Sequence, residues 1–171
     1  WDFSLPKPTV VAEWHDKDTP PDLLAYELVV GGRTYGTCLI AVERNNHGHS
    51  TLTKLKELYP LAQIFREIKQ DRFEDHETTR LGWLTNLVTK PKMLYDIRTA
   101  VDDEMVDLSS KELIHEMRTY DIDDISVLKN ENHHWDRLIA AAIGFQMKNH
   151  QSSQPIITTI NHTHNNLYAG I

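Results

Sequence analysis

The sequence predicts an α/β fold, and three observations carry that prediction. The apolar run Thr37-Cys38-Leu39-Ile40-Ala41-Val42 has the length and content of a central strand covered on both faces. Segments with helical spacing lie on either side of it. The order strand, helix, strand, helix, strand over residues 1–65 asks for a layer with parallel neighbours.

Each element has its own signal. Thr9-Val10-Val11-Ala12-Glu13-Trp14 reads as the first strand. Pro20-Pro21 opens a helix through Leu23, Leu24, Tyr26, Leu28 and Val29, and Gly31-Gly32 is expected to stop it. The strand 37–42 follows and runs straight into Glu43-Arg44-Asn45-Asn46-His47-Gly48. Ser50 or Thr51 is the expected cap of a helix carrying Leu52, Leu55 and Leu58, which Pro60 ends. Ala62-Gln63-Ile64-Phe65 is the next strand. Residues 66–88 are rich in charge and read as a hairpin or a mobile loop. Pro91 starts a helix with Met93, Leu94, Ile97 and Val101 at helical spacing. Ser109-Ser110-Lys111-Glu112 has the pattern of a capping box before a helix carrying Leu113, Ile114 and Met117. A short strand over 125–128 and a last helix over about 134–148 complete a domain spanning residues 1–149. Residues 150–171 are polar and without period, and are expected to form a flexible tail or an arm that packs on something else.

A chain of 171 residues is long enough for one domain with a real core. Its 40% hydrophobic and 25% charged residues are ordinary for a soluble globular protein. No apolar stretch is long enough to span a bilayer, so no membrane partner is expected. Trp1-Asp2-Phe3-Ser4 lacks the basic-then-apolar order of a signal peptide, and the missing initiator Met fits a fragment or a processed product. Cys38 is the single cysteine and reads as a small core residue, which fits a reducing, intracellular setting. The sequon Asn161-His162-Thr163 reads as chance without a secretion signal. The formal charge of -7 argues against a simple electrostatic nucleic-acid binder. It leaves room for a metal-dependent nuclease, whose clustered carboxylates raise the acid count and whose bound cations reverse the local sign.

Two acids stand out as candidate site residues. Glu43 ends the apolar strand where a polar loop begins, the way rigid strands often carry catalytic acids to their carboxyl ends. A charge that merely ends a strand at the surface is the plainer reading, and spacing alone favours it. Asp136 lies at the start of the last helix, on the face expected to hold Ile139, Ala140, Ile143 and Met147 and to pack on the sheet. Burying that acid is costly unless a metal, an Arg or a Lys compensates it. The other reading is a half-exposed acid in a first helical turn, where the helix dipole favours it. Converging at the end of the sheet, the two would form a carboxylate pair suited to magnesium or manganese. Such sites usually need a third carboxylate, and Asp2 and Asp16 are the upstream candidates, although neither ends an apolar strand. Zinc is disfavoured: His47/His49 and His133/His134 form no HExxH and no Cys cluster accompanies them. His134 reads as lining the site near Asp136. A phosphate-binding GxxxxGK[ST] loop, a G-x-S-x-G elbow and a plausible Cys nucleophile are all missing from the sequence.

The block Glu43-Arg44-Asn45-Asn46-His47-Gly48-His49 after Leu39-Ile40-Ala41-Val42 closely resembles the nuclease domain of tailed-bacteriophage terminase large subunits. Leu81-Gly82-Trp83-Leu84-Thr85-Asn86, Thr89-Lys90-Pro91-Lys92, the helix from Glu112 to Tyr120, and His133-His134-Trp135-Asp136-Arg137-Leu138 match further segments in the same order. The resemblance covers about residues 9–148. It implies a ribonuclease-H-like mixed sheet flanked by helices and a two-metal endonuclease, using Mg2+ or Mn2+, that cuts concatemeric double-stranded DNA during viral packaging. It also implies a terminase ATPase domain, a small terminase subunit and a portal as partners, and the host cytoplasm as the setting. Glu43 matches the strand-end acid of the family, and Asp136 matches the second Asp of its His-Asp-Asp motif, the usual metal ligand. Arg44, Asn45, Asn46 and His47 would position the loop or the DNA strand. Trp135 stands where the first Asp of that motif is expected, and the family's opening catalytic Asp falls before this chain begins. Asp2 lies in or near the second strand and does not replace it. The chain thus resembles a truncated terminase nuclease domain, lacking the opening strand. A second reading is a catalytically incomplete scaffold that docks DNA, portal or other motor parts. A third, another ribonuclease-H-like nuclease such as a resolvase or transposase, fits the fold but leaves the Asn-Asn-His-Gly block unexplained.

Overall fold

The computed structural model describes residues 1–45, 47–70, 77–121 and 135–150. The fold is mixed α/β: among the described residues the strands form two two-stranded sheets rather than the expected larger mixed sheet, and helices and short strands are interspersed. In order these are β1 (Thr9–Val10), α1 (Pro21–Thr34), α2 (Gly48–Leu58), β2 (Arg66–Gln70), β3 (Glu77–Leu81), α3 (Thr89–Asp102), β4 (Asp107–Leu108), α4 (Lys111–Thr119) and α5 (Asp136–Gln146). Parallel and antiparallel pairings both occur. β1 pairs with β4 in parallel, Asp2 bridges Thr9 from the other side, and β2 pairs with β3 antiparallel from Arg66↔Leu81 to Gln70↔Glu77. Of the two readings for 66–88, the hairpin is the one that forms.

The extended segment around Ile40 to Glu43 is the hinge of this arrangement. Ile40 N donates to Gln63 O at 2.9 Å and Phe65 N to Ile40 O at 2.8 Å. Two residues on, Trp83 N donates to Val42 O and Arg44 N to Trp83 O, both at 2.8 Å. One edge of the segment is thus paired in parallel, first by Ile64 and then by Trp83. Its side chains alternate between two cores. Ile40 and Val42 join Ala25, Val29, Leu52, Leu55, Tyr59 and Ile64 under α1 and α2, while Ala41 packs on the second cluster, built on Met93, Leu94, Ile97, Leu113, Leu138, Ala142 and Phe145. Burying each such Leu or Ile contributes about 1.5–3 kcal/mol.

Several element bounds differ from expectation for identifiable reasons. β1 stops at Val10, because Val11 and Trp14 are exposed. α1 runs through Gly31-Gly32 to Thr34 instead of stopping there. Gly32 serves a close approach: a Cβ there would meet the Tyr59 hydroxyl at 2.6 Å and Ile40 Cδ1 at 3.0 Å. α2 begins at Gly48 with no side-chain cap. Thr51, an expected cap, is buried and donates its hydroxyl to Pro21 O at 2.6 Å, tying α2 to the start of α1. Leu61–Gln63 is a 3-10 turn, and only Ile64-Phe65 of the expected strand pairs. α3 begins two residues before Pro91, and Ala100 rather than Val101 faces the core. Ser110, not Ser109, caps α4, accepting from Leu113 N at 3.0 Å, so Glu112 falls one position short of the box. The expected strand over 125–128 and the polar tail lie outside the described residues, apart from His150.

The packing of Tyr59 on Gly32 generates two predictions. Gly32→Ala is expected to destabilise the fold by about 1–3 kcal/mol through overpacking. Gly31→Ala, whose Cβ meets nothing within 4 Å, should stabilise it by about 0.5–1 kcal/mol. Urea denaturation of the two variants should therefore shift in opposite directions, and equal shifts would refute the close approach. Tyr59 is 4% exposed, donates to Cys38 O at 2.7 Å, and burial pushes its pKa from 10.0 up to about 12. The folded state therefore holds the phenol proton more tightly than the unfolded state. That contribution is full below pH 10 and lost as pH rises through about 12. Denaturation between pH 9 and pH 12 should show this loss in the wild type and not in Tyr59→Phe.

Candidate functional site

Glu43 is half-buried where the extended segment gives way to the loop. Its Oε1 accepts from Asn45 Nδ2 at 3.1 Å, and the same amide reaches Thr85 O at 3.5 Å. Oε2 has no hydrogen-bond donor among the described residues. The loop doubles back so tightly that a Cβ on Gly48 would collide with the Glu43 carbonyl oxygen, while Gly48 N donates to Asn45 O at 2.8 Å. The glycine of the Asn-Asn-His-Gly block is thus a requirement of close backbone approach, and Asn45 is the residue that orients the carboxylate.

Arg44 works inside the fold. It is 6% exposed, and its Nη2 pairs with Glu67 Oε2 of β2 at 2.6 Å, leaving Nη1 buried without a hydrogen-bond acceptor. Its partner belongs to the β2–β3 hairpin. His47 and His49 are exposed at the start of α2, and the His47 carbonyl accepts from Ser50 N at 3.1 Å. Asn46 and His134 lie outside the described residues.

Asp136 is the first residue of α5 and is exposed. Of the face expected to pack inward, Ile143 and Met147 are buried and Ile139 is half-buried against the core, but Asp136 and Ala140 are exposed; α5 also buries Leu138, Ala142, Phe145 and Gln146. Gln146 is satisfied by Asp96 Oδ2 of α3 at 3.0 Å. The acid that does enter the interior is Glu116 of α4, 8% exposed, whose Oε2 accepts from Leu138 N at 2.9 Å and whose Oε1 accepts from Arg137 Nη1 at 3.2 Å. Arg137 Nε also donates to Glu13 Oε1 at 2.6 Å. Glu13 and Glu116 both hold the guanidinium charged, Glu13 more strongly. The sequence carries a signal for Glu116, since it lies between Leu113 and Met117 on the buried side of an amphipathic helix.

No contact joins Glu43 to Asp136 among the described residues. Glu43 is bridged to Trp83, and Thr85 follows two residues on. Lys90, buried in the first turn of α3, holds its Nζ 6.0 Å from the Tyr120 ring centre at the end of α4. Tyr120 packs edge-on against Trp135 at 5.2 Å, next to Asp136. The upstream acids are occupied locally: Asp2 accepts from Ser4 at both hydroxyl and amide, and Asp16 from the Thr19 hydroxyl and the Asp18 amide, bonds that lower both carboxyl pKa values. Among the described residues no group of three His, Cys, Asp or Glu side chains is arranged to hold a metal ion. Compared with known proteins, the chain matches no family model, no curated protein and no solved structure. No helix among the described residues is long and apolar enough to cross a membrane.

The Arg44–Glu67 pair anchors the β2–β3 hairpin to the segment that carries Glu43. Glu67→Ala strands a buried guanidinium and is expected to cost about 2–3 kcal/mol, below the ~3–5 kcal/mol of a fully buried pair because Glu67 is 33% exposed. The urea midpoint measures it, and Arg44→Leu in the same background should recover part of the loss. An unchanged midpoint in Glu67→Ala would show that the pair does not hold the hairpin.

Proposed function

We propose that this chain is a ribonuclease-H-like nuclease domain of the viral terminase type, a metal-dependent DNA endonuclease in which Glu43 and Asp136 are the acidic ligands. What supports the reading is Glu43, half-buried where the extended segment ends with Asn45 Nδ2 on its Oε1 at 3.1 Å, together with Asp136, exposed at the start of α5. Both carboxylates keep an oxygen without a hydrogen-bond donor among the described residues, and hard oxygen donors of this kind suit Mg2+ or Mn2+. A bound ion of that class lowers the pKa of attacking water and stabilises the leaving oxygen of a phosphodiester. The chain's own part is to fix the donors. Asn45 orients Glu43, Gly48 lets the loop fold back on it, and Arg44 and Glu67 hold the segment beneath. Partners on this reading are double-stranded DNA, a terminase ATPase domain, the small terminase subunit and the portal, in the host cytoplasm.

The scaffold reading keeps one observation of its own. The backbone N–H and C=O groups of Ala41 and Glu43 make no hydrogen bond among the described residues, so one edge of that segment is open to a further strand. The same assay separates the two readings. With Mn2+ or Mg2+, wild-type protein is expected to nick supercoiled plasmid, and Glu43→Gln is expected to lose at least about 100-fold in rate. Cleavage unchanged in Glu43→Gln would sink the catalytic role of Glu43. A wild type that binds DNA without cutting it under either metal would favour the scaffold.

A further inference from the structure

We infer that the outer face of α1 docks on α1 of a second copy of this chain, the two helices packing antiparallel across a two-fold axis. α1 is apolar on two sides. Ala25, Val29 and Gly32 are buried on the inner side. On the outer side Leu23, Tyr26 and Val30 are 50%, 45% and 63% exposed. Their spacing of three and four positions sets them in one stripe along the helix. A surface helix normally turns charged and polar residues to solvent there, and apolar residues on both sides ask for cover on both. The charges at the two ends of the stripe identify the cover. Asp22 stands in the first turn and Arg33 in the last. About three turns separate them, so they flank the stripe on the same side. Neither makes an ion pair among the described residues, and the guanidinium donates only to Leu58 O, at 3.2 Å. A parallel copy would set like charge against like. An antiparallel copy sets Asp22 beside the partner subunit's Arg33 at both ends, and Tyr26 beside the partner subunit's Val30 in between. The same surface then meets itself, as a two-fold interface requires. Glu27, on the other flank near the axis, meets its own copy and limits the attraction. One helix face is also small beside the ~1,200–2,000 Å² of a stable interface, so the dimer is weak and forms as concentration rises.

Sedimentation equilibrium of the full chain from about 5 to about 500 µM tests this. The wild type should pass from monomer to dimer over that range. Val30→Glu, at an exposed position, keeps the monomer folded and should raise the dissociation constant at least about tenfold by burying an unpaired charge. Leu23→Glu, in the same stripe, repeats the test should Val30→Glu melt early at the dilute end. Asp22→Arg alone and Arg33→Glu alone should each weaken the dimer at least about threefold, and the double variant, which reverses the pair, should return to within about twofold of wild type. A wild type that stays monomeric across the range overturns the inference. So does a dimer that both stripe variants leave intact, because it then forms elsewhere, as through the open edge of the Ala41 segment. A double variant as weak as the single ones overturns the antiparallel pairing.

Discussion

Everything near the candidate site depends on one short extended segment being covered from both sides. Ile40 and Val42 face one apolar cluster, Ala41 faces the other, and the backbone between them is pinned along one edge by Gln63, Phe65 and Trp83. A segment in that position has little freedom to shift, because a slip of one residue would exchange its buried and exposed sides. Glu43 inherits that rigidity. Its carboxylate emerges where the two cores end, and the loop beyond it is short enough to need a glycine at position 48.

The same constraint accounts for the buried ion pair. Arg44 continues the alternation that buries Ile40 and Val42, so its side chain is directed inward and must find a partner there. Glu67 is that partner, which joins the segment to the β2–β3 hairpin. A charge at an alternating buried position costs stability unless it is paired, and pairing it fixes the register of the two segments relative to each other.

How much of this was legible varies from element to element. The apolar run 37–42 does not form the full central strand its content predicts: it bridges only at Ile40, with Glu43 bridged just beyond, while Thr37 carries a φ of 61° and Thr37 to Leu39 are half-buried. The α4 cap was legible to within one residue, because Ser109 and Ser110 are chemically equivalent and only the chain path decides which oxygen meets Leu113 N. Gly31-Gly32 misled, because glycine signals both helix ends and close packing, and the packing partner, Tyr59, lies 27 residues on in sequence. No local pattern carries that contact.

The phase of α5 was legible only in part. From Leu138 to Phe145 it is apolar or small at every position, so its buried surface is broad. Ile143 and Met147 of the predicted stripe are buried and Ile139 packs on the core, alongside Leu138, Ala142 and Phe145, whereas Asp136 and Ala140 stay outside. Polar chemistry marks the two ends. Gln146 finds Asp96 at one end, and Leu138 N finds Glu116 at the other, so the helix settles with Leu138 inward and Asp136 outward. The acid that the apolar pattern seemed to bury is thereby left free for solvent or a ligand, and the buried charge moves to α4, where a backbone amide and a guanidinium both meet it.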